Sequence, residues 1–478
     1  MSGLPPVAAL LGLALAAPPA APTPAVAERP LWRIAYPGTL LGVAGSAVVF
    51  DGYKKATRRG ELVAFDAATG RKRATLEAWR AQVPRGDYLG APFLIGPLIG
   101  GTLYPSYSGI ALVDPATDRV RLRSRPGEAE YEAFLPGRTH GPMAIAGRAA
   151  NGALVAILGA SIDRDEGRFE LRAVDLRSGQ RLWRWAPKND GGGLFVAVAG
   201  GRAISFSPGW LQAFDLATGQ ALWRQPSSIC DGEICNGLSD FMIAADDEHV
   251  AMKVGKRLAV HAASTGEPGW SGEIPRQLSK VLLVSSGQIC TEGEVGITCL
   301  DVRGRVLWRL PLAGTEPPRL EFGGGNLYVA DMGVVRAVDR ATGELRWAFG
   351  GDRLALAPEP DASGTPATVI IGEDGEGAVA YTADRPPGPA RDITVTGRLT
   401  VHAYATRPPP PEFLRVYVAG SFVHPGADGR YEVRVRLSGG RIAISAAGCS
   451  GKVGPIHLRL DQRSTYQKDL VLDDYCGD

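Results

Sequence analysis

Seven positions punctuate a phrase that keeps returning in this chain: Gly70, Asp118, Gly179, Gly219, Gly266, Gly304 and Gly343, separated by 48, 61, 40, 47, 38 and 39 residues. The fullest copy reads LQAFDLATGQALWR from Leu211 to Arg224. Other copies are ELVAFDAATG (Glu61 to Gly70), GIALVDPATD (Gly109 to Asp118), ELRAVDLRSGQRLW (Glu170 to Trp183), RLAVHAASTGEPGW (Arg257 to Trp270), GITCLDVRGRVLW (Gly296 to Trp308) and VVRAVDRATGELRW (Val334 to Trp347). A period of about 40 to 50 residues is that of a small sheet which cannot bury both faces alone and must stack on copies of itself.

Each part of the phrase has a physical role. The alternation before the Asp, as in Leu171 and Ala173 against Arg172 and Val174, has the two-residue period of a strand. The carboxylates of Asp66, Asp114, Asp175, Asp215, Asp301 and Asp339 can accept N–H bonds from the turn ahead, and Gly supplies the positive φ that closes it. Four residues after the Gly comes Trp183, Trp223, Trp270, Trp308 or Trp347, a plate suited to bury its ring on a neighbouring unit while its indole N–H finds a carbonyl. Residues that repeat in every unit read as turn anchors and docking plates before they read as a site.

The phrase resembles the AxDxxTGxxxW repeat of the pyrroloquinoline-quinone-like (PQQ-like) β-propeller superfamily, over roughly residues 31–384. It departs where Ala74 and Leu122 take the place of Trp, in the fifth copy, which loses the Asp, and in the sixth, which is one residue shorter. The resemblance implies an all-β propeller. Leu31-Trp32-Arg33 repeats the Leu-Trp-Arg of 182–184, 222–224 and 307–309 with no turn phrase before it, while the last hairpin (Ala367 to Asp384) lacks its outer strand. Pairing these halves closes a ring of eight blades, with seven as the alternative, and closure removes exposed sheet edges.

With strands lettered A to D from the axis outward, the A–B and C–D turns share one face and are short. The long segments, among them 51–60, 77–90, 124–141, 159–167, 227–239 and 350–366, fall on the other, which makes that face the expected binding surface. Lys54, Lys55, Arg58 and Arg59 form a basic loop there, a candidate contact for an acidic partner beside the ordinary reading of a solvated loop. Tyr104 and Tyr107 flank another loop and could stack on sugar or peptide, or pack an edge.

Residues 1–27 carry no charged side chain, and Val7 to Ala17 is an 11-residue apolar run followed by Ala25-Val26-Ala27, the pattern of a signal peptide cleaved after Ala27. The run is too short to span a bilayer. Six cysteines in three neighbouring pairs fit an exported protein with disulfides: Cys230 with Cys235, Cys290 with Cys299, and Cys449 with Cys476. The first two pairs are expected on the elaborated face as loop stiffeners. The propeller is expected over 28–384, a Pro-rich linker over 385–390, and over 391–478 a run of short strands suited to a β-sandwich. Val395 to Leu399 and Ala427 to Val435 resemble the carboxypeptidase-regulatory or transthyretin-like sandwich.

Lys and Arg total 52 against 50 acidic residues, so no general field favours nucleic acid or anionic membrane. Quinoprotein dehydrogenases share the propeller, and the resemblance implies for them PQQ on the axis, clamped by a Trp and a disulfide of adjacent cysteines, with calcium beside a catalytic Asp. No Cys-Cys dipeptide or CxxCH occurs here, and His140, His249, His261, His402, His424 and His457 lack metal-ligand spacing. The expectation is an exported, monomeric, non-enzymatic propeller without cofactor, periplasmic or extracellular, that binds another envelope or secreted protein as an assembly scaffold. The alternative is a PQQ- and calcium-dependent oxidoreductase of alcohols or sugars.

Overall fold

In a computed structural model the described residues are 30–474, apart from 55–58, 77–87, 90–92, 96, 105–108, 124–143, 164–167, 187–194, 208, 228, 230–240, 275–281, 294–295, 313–317, 332, 352, 359–365, 374–376, 383–390, 404–410, 420, 449–451 and 462. Up to residue 382 they form antiparallel sheets that follow one another along the chain. Sheet 4 is typical: strands A to D are Phe195–Ala199, Arg202–Ser207, Trp210–Asp215 and Ala221–Pro226, each paired with the next. Sheet 1 covers residues 39–75, sheet 2 covers 88–123, sheet 3 covers 144–185, sheet 5 covers 241–273, sheet 6 covers 282–311 and sheet 7 covers 319–350. In sheet 2 the A strand is split into Tyr88–Leu89 and Phe93–Ile95.

Sheet 8 is assembled from both ends of this region. Strands Arg353–Pro358, Pro366–Gly372 and Gly377–Thr382 form a meander, and its outer neighbour is the N-terminal strand Trp32–Ala35, with Trp32 opposite Ala380 and Ala35 opposite Gly377. The A strands touch in chain order from sheet 1 to sheet 8, and the A strand of sheet 8 touches that of sheet 1.

Stacking explains the burial. A strand between two packed sheets is apolar on both faces, so Asn326–Asp331, the B strand of sheet 7, is buried along its whole length. The D strand Arg181–Trp185 is mostly exposed, with Trp183 as its buried residue. Apolar clusters lie between neighbouring sheets, for example Ile204, Phe206 and Leu211 of sheet 4 with Phe241, Val250 and Met252 of sheet 5. A bulge recurs just before the Trp position of the D strands of sheets 1 to 7, at Arg73, Arg121, Leu182, Leu222, Gly269, Leu307 and Arg346, where one residue is left over in the C–D pairing.

The C-terminal strands are not merely tethered. Strand Gly439–Ala447 runs parallel to the D strand of sheet 7, with Phe349 opposite Gly439 and Gly350 opposite Gly440, and also pairs with Arg415–Val418 and Lys452–Arg459. A second set pairs Arg391–Ala403 with Arg430–Leu437, Thr465–Gln467 and Leu470–Asp474. Arg430–Leu437 alternates exposed and buried at every residue, as a strand with one face on a core must. Val334 and Ala348 of sheet 7 belong to that same core. The segment 385–390 lies outside the described residues.

Candidate functional site

The repeated turn is built by one carboxylate. In sheet 4, Asp215 Oδ1 accepts the N–H of Ala217 at 3.1 Å and of Thr218 at 2.8 Å and the Thr218 hydroxyl at 2.8 Å, while Gly219 N–H donates to Asp215 O. Asp66, Asp175 and Asp339 hold their turns in the same way. Asp114 accepts from Ala116 N–H, and Asp301 from the N–H groups of Arg303 and Arg305. The bulge then aims an arginine at the second oxygen: Arg73 meets Asp66 Oδ2 at 2.5 Å, Arg121 meets Asp114 Oδ2 at 2.6 Å, and Arg346 meets Asp339. Hydrogen bonds from Arg346 and Thr342 pull the Asp339 carboxyl down to about 2.

The fifth turn lacks the carboxylate and keeps its backbone bonds, Gly266 N–H to Ala262 O and Ala262 N–H to Glu267 O. His261 compensates from the adjacent position: its Nδ1 lies 2.9 Å from Gly266 O, and burial pushes its pKa below the usual histidine value.

The tryptophans reach the turn of the following sheet. Nε1 donates from Trp32 to Ala67 O at 3.0 Å, from Trp183 to Leu216 O at 3.0 Å, from Trp223 to Ala263 O at 3.2 Å and from Trp308 to Arg340 O at 2.9 Å. Trp270 lies against Gly304. Trp347 has no turn phrase ahead of it and packs beside Tyr328 with ring centroids 5.9 Å apart. The turn glycine is therefore required twice: Gly219 has φ +71°, and a Cβ there would stand 2.6 Å from Trp183 Cγ. Asp118 shows the converse. It holds φ +50° in the turn of sheet 2, and the preceding D strand carries Ala74, opposite Ala64, where Trp183 stands opposite Ala173. With no indole at that register, a side chain is accommodated.

Further bonds tie neighbouring sheets on the face of the A–B and C–D turns. Asp247 accepts Gly200 N–H at 2.8 Å, Asp246 accepts Gly287 N–H at 3.1 Å, and Gln288 and Arg340 exchange two bonds of 2.9 Å. Between sheets 2 and 3 that face instead opens into a cavity of about 510 Å³. Its walls include Asp114 and Arg121 of sheet 2 and Arg148, Asn151, Asp175 and Arg177 of sheet 3. At the Trp register of the sheet 2 D strand stands Leu122, opposite Leu112.

The other expected residues fall elsewhere. Lys54 and Arg59 are opposite one another at the loop end of the B–C hairpin of sheet 1, and Tyr104 ends the B strand of sheet 2 opposite Tyr88. Lys55, Arg58 and Tyr107 lie outside the described residues, as do Cys230, Cys235, Cys449 and Cys476. Cys290 and Cys299 form a disulfide, but not on a loop face: they are directly opposed in mid-strand, fully buried, and packed with Trp308 and Leu327. The sequence shows a nine-residue separation, and only the strand register reveals that it falls inside the sheet.

On the innermost strands, Arg319 and Glu321 pair at 2.9 Å, and Arg319 also donates to Leu41 O. Burial pushes the Glu321 carboxyl up against the pull of Arg319. A quinone with calcium needs several free oxygen donors there, whereas this carboxylate is taken by a guanidinium, and among the described residues no three His, Cys, Asp or Glu cluster to hold a metal. Glu321 is therefore not a free ligand for that cofactor pair.

Residues 207–353 match the family model described as outer membrane protein assembly factor BamB. No curated protein matches the sequence. Among solved structures, the chain is similar to the computationally designed Ika8 protein, with 12% identity and TM-score 0.50 over 74% of this chain and 100% of that one. It is also similar to BamB from Moraxella catarrhalis (15% identity, TM-score 0.45, 73% of this chain and 98% of that one) and to Saccharomyces cerevisiae Sqt1 (12%, 0.47, 75% and 100%). Residues 207–353 thus match a PQQ-like repeat family, and the stacked four-stranded sheets with their Asp, Gly and Trp signature have the arrangement of a β-propeller.

Proposed function

We propose that this chain is an exported, non-enzymatic propeller that binds other proteins as an assembly scaffold in the cell envelope, released by cleavage after Ala27 and acting as a monomer without cofactor. The observation that carries the reading is the match of residues 207–353 to the outer membrane assembly factor family. The repeated polar residues add support, because their hydrogen bonds are spent on turns and on neighbouring sheets. The ring has eight blades closed by the N-terminal strand. The pairing of Trp32–Ala35 with Gly377–Thr382, the contact of sheet 8 with sheet 1, and Trp32 on the sheet 1 turn favour this closure. Residues 391–478 form a sandwich that braces sheet 7.

The test is affinity capture from an envelope extract of the source cell, followed by rebinding of the captured protein in purified form. One envelope protein that rebinds the chain stoichiometrically is expected. Failure of every captured protein to rebind contradicts the scaffold role. A parallel capture with Lys54, Lys55, Arg58 and Arg59 all changed to Glu asks whether the basic loop is the contact, and an unchanged partner rules that loop out.

A further inference from the structure

We infer that the cavity between sheets 2 and 3 is a binding site for an acidic peptide segment. It lies on the face of the A–B and C–D turns, the face expected from the sequence to be plain. This rests on the protein-binding reading above only in taking the ligand to be a peptide.

Three observations carry the inference. The first is that this junction lacks the docking plate found at others. Trp183, Trp223 and Trp308 each dock on the next sheet with an indole bond, and side-chain bonds from Asp247, Asp246 and Gln288 lace the same face across sheets 4 to 7. At the junction of sheets 2 and 3 the docking register holds Leu122, and the turn it would cover lines the cavity through Asp175 and Arg177.

The second is size. About 510 Å³ lies within the roughly 300–1,000 Å³ of sites that enclose small ligands, enough for a short stretch of chain.

The third is the arrangement of charge. Asp114 is neutralised by Arg121 at 2.6 Å, and Asp175 spends one oxygen on its own turn, accepting the N–H of Arg177 and of Ser178. Asp175 has no arginine at its bulge, where sheet 3 carries Leu182 in place of Arg73, Arg121 or Arg346. Arg148 lines the cavity and gives one bond to Gly152 O at 3.1 Å, which leaves most of its five donors uncommitted among the described residues. Arg148 and Arg177 are both exposed on the sheet 3 wall. Guanidinium groups bind carboxylates through paired, charge-assisted bonds. The remaining Asp175 oxygen and the Asn151 amide suit peptide N–H and C=O groups, whereas a dense polyanion would meet two carboxylates in the same walls. A segment with one or two Glu or Asp side chains matches this mixture of donors and acceptors.

The experiment uses the purified chain and two fluorescein-labelled decapeptides, one alternating Glu with Ala and one with Gln in place of Glu, followed by fluorescence anisotropy. The Glu peptide is expected to bind at least tenfold tighter than the Gln peptide, with an advantage that shrinks as salt is raised. Arg148→Glu with Arg177→Glu should weaken Glu-peptide binding tenfold or more, and Leu122→Trp, which restores the docking plate, should weaken it as well. Lys54→Glu with Arg59→Glu should leave it unchanged. Equal binding of the two peptides, no binding of the Glu peptide, or wild-type affinity in the Arg148/Arg177 variant overturns the inference; the thermal melts of the variants show that the comparison is between folded proteins. Loss of the scaffold reading leaves a distinct signature: no captured envelope protein rebinds, while the Glu peptide still binds through Arg148 and Arg177.

Discussion

Trp183 of one sheet lies on Gly219 of the next, its indole N–H bonded 3.0 Å away to Leu216 O and its ring occupying the space that a Cβ on Gly219 would need. The two signature residues of the repeat thus meet across a boundary between units and not within one. The same pairing joins Trp32 with Gly70, Trp223 with Gly266, Trp270 with Gly304 and Trp308 with Gly343.

Gly219→Ala combines a left-handed backbone with a clash against Trp183. We expect a loss of about 2–4 kcal/mol, from strain plus overpacking, seen as a lower urea midpoint at unchanged slope. Asp118→Gly is the control: φ is +50° there and the preceding sheet carries Ala74 at the docking register, so stability should change by less than about 1 kcal/mol.

Trp183→Phe removes one hydrogen bond and leaves Leu216 O buried. A loss of about 1–2 kcal/mol is expected, against about 3–5 kcal/mol for Trp183→Ala, which adds a cavity. A Trp183→Ala and Gly219→Ala double variant should lose less than the sum of the two singles, because the clash disappears with the ring.

Burial lowers the pKa of His261, whose Nε2 is buried with no hydrogen-bond partner among the described residues. The neutral ring is therefore the folded form. Its contribution is intact above the unfolded value of roughly 6.5 and is lost as pH falls below that toward the depressed folded value. Unfolding midpoints from pH 8 to pH 5 should fall for the wild type and fall less for His261→Gln. Asp339 acts lower on the scale: its carboxyl is held at about 2, so its contribution is present above the ordinary 3.8 and is lost as pH drops toward 2. Asp339→Asn should flatten that acid limb.

The Cys290–Cys299 bridge closes a short loop, a separation of nine residues. Loop-closure entropy sets its worth at about 2–3 kcal/mol. Cys290→Ala with Cys299→Ala should lower the unfolding free energy by that amount, read as a lower urea midpoint, and the bridge, lying at zero exposure, should persist in the folded protein under a mild reductant and break once the chain is unfolded.

Much of this was legible in the sequence because it is local. The DxxTG turn is five residues long, its carboxylate and glycine need only each other, and the strand before it shows its own alternation. The tryptophan's indole bond and its seat on a neighbouring unit were expected, but not the residue that receives it: Trp183 and Leu216 are 33 residues apart and meet only when the sheets stack. The arginine on the second carboxylate oxygen depends on a bulge that no spacing announces. His261 stands in for a lost Asp from one position away, which a column-by-column reading passes over. The open junction of sheets 2 and 3 had a visible trace in Leu122, read only as a weak copy of the repeat. The docking of Gly439–Gly440 on Phe349–Gly350 rests on backbone pairing, which leaves no mark in residue type.

The central claim, that this propeller binds proteins and does not oxidise small molecules, is tested most directly by titrating the purified chain with PQQ in millimolar calcium and then assaying dye-linked oxidation of alcohols and sugars. With Arg319 and Glu321 paired on the innermost strands, the account predicts neither saturable PQQ binding nor turnover. Tight binding accompanied by dye reduction that depends on an alcohol or sugar would contradict it.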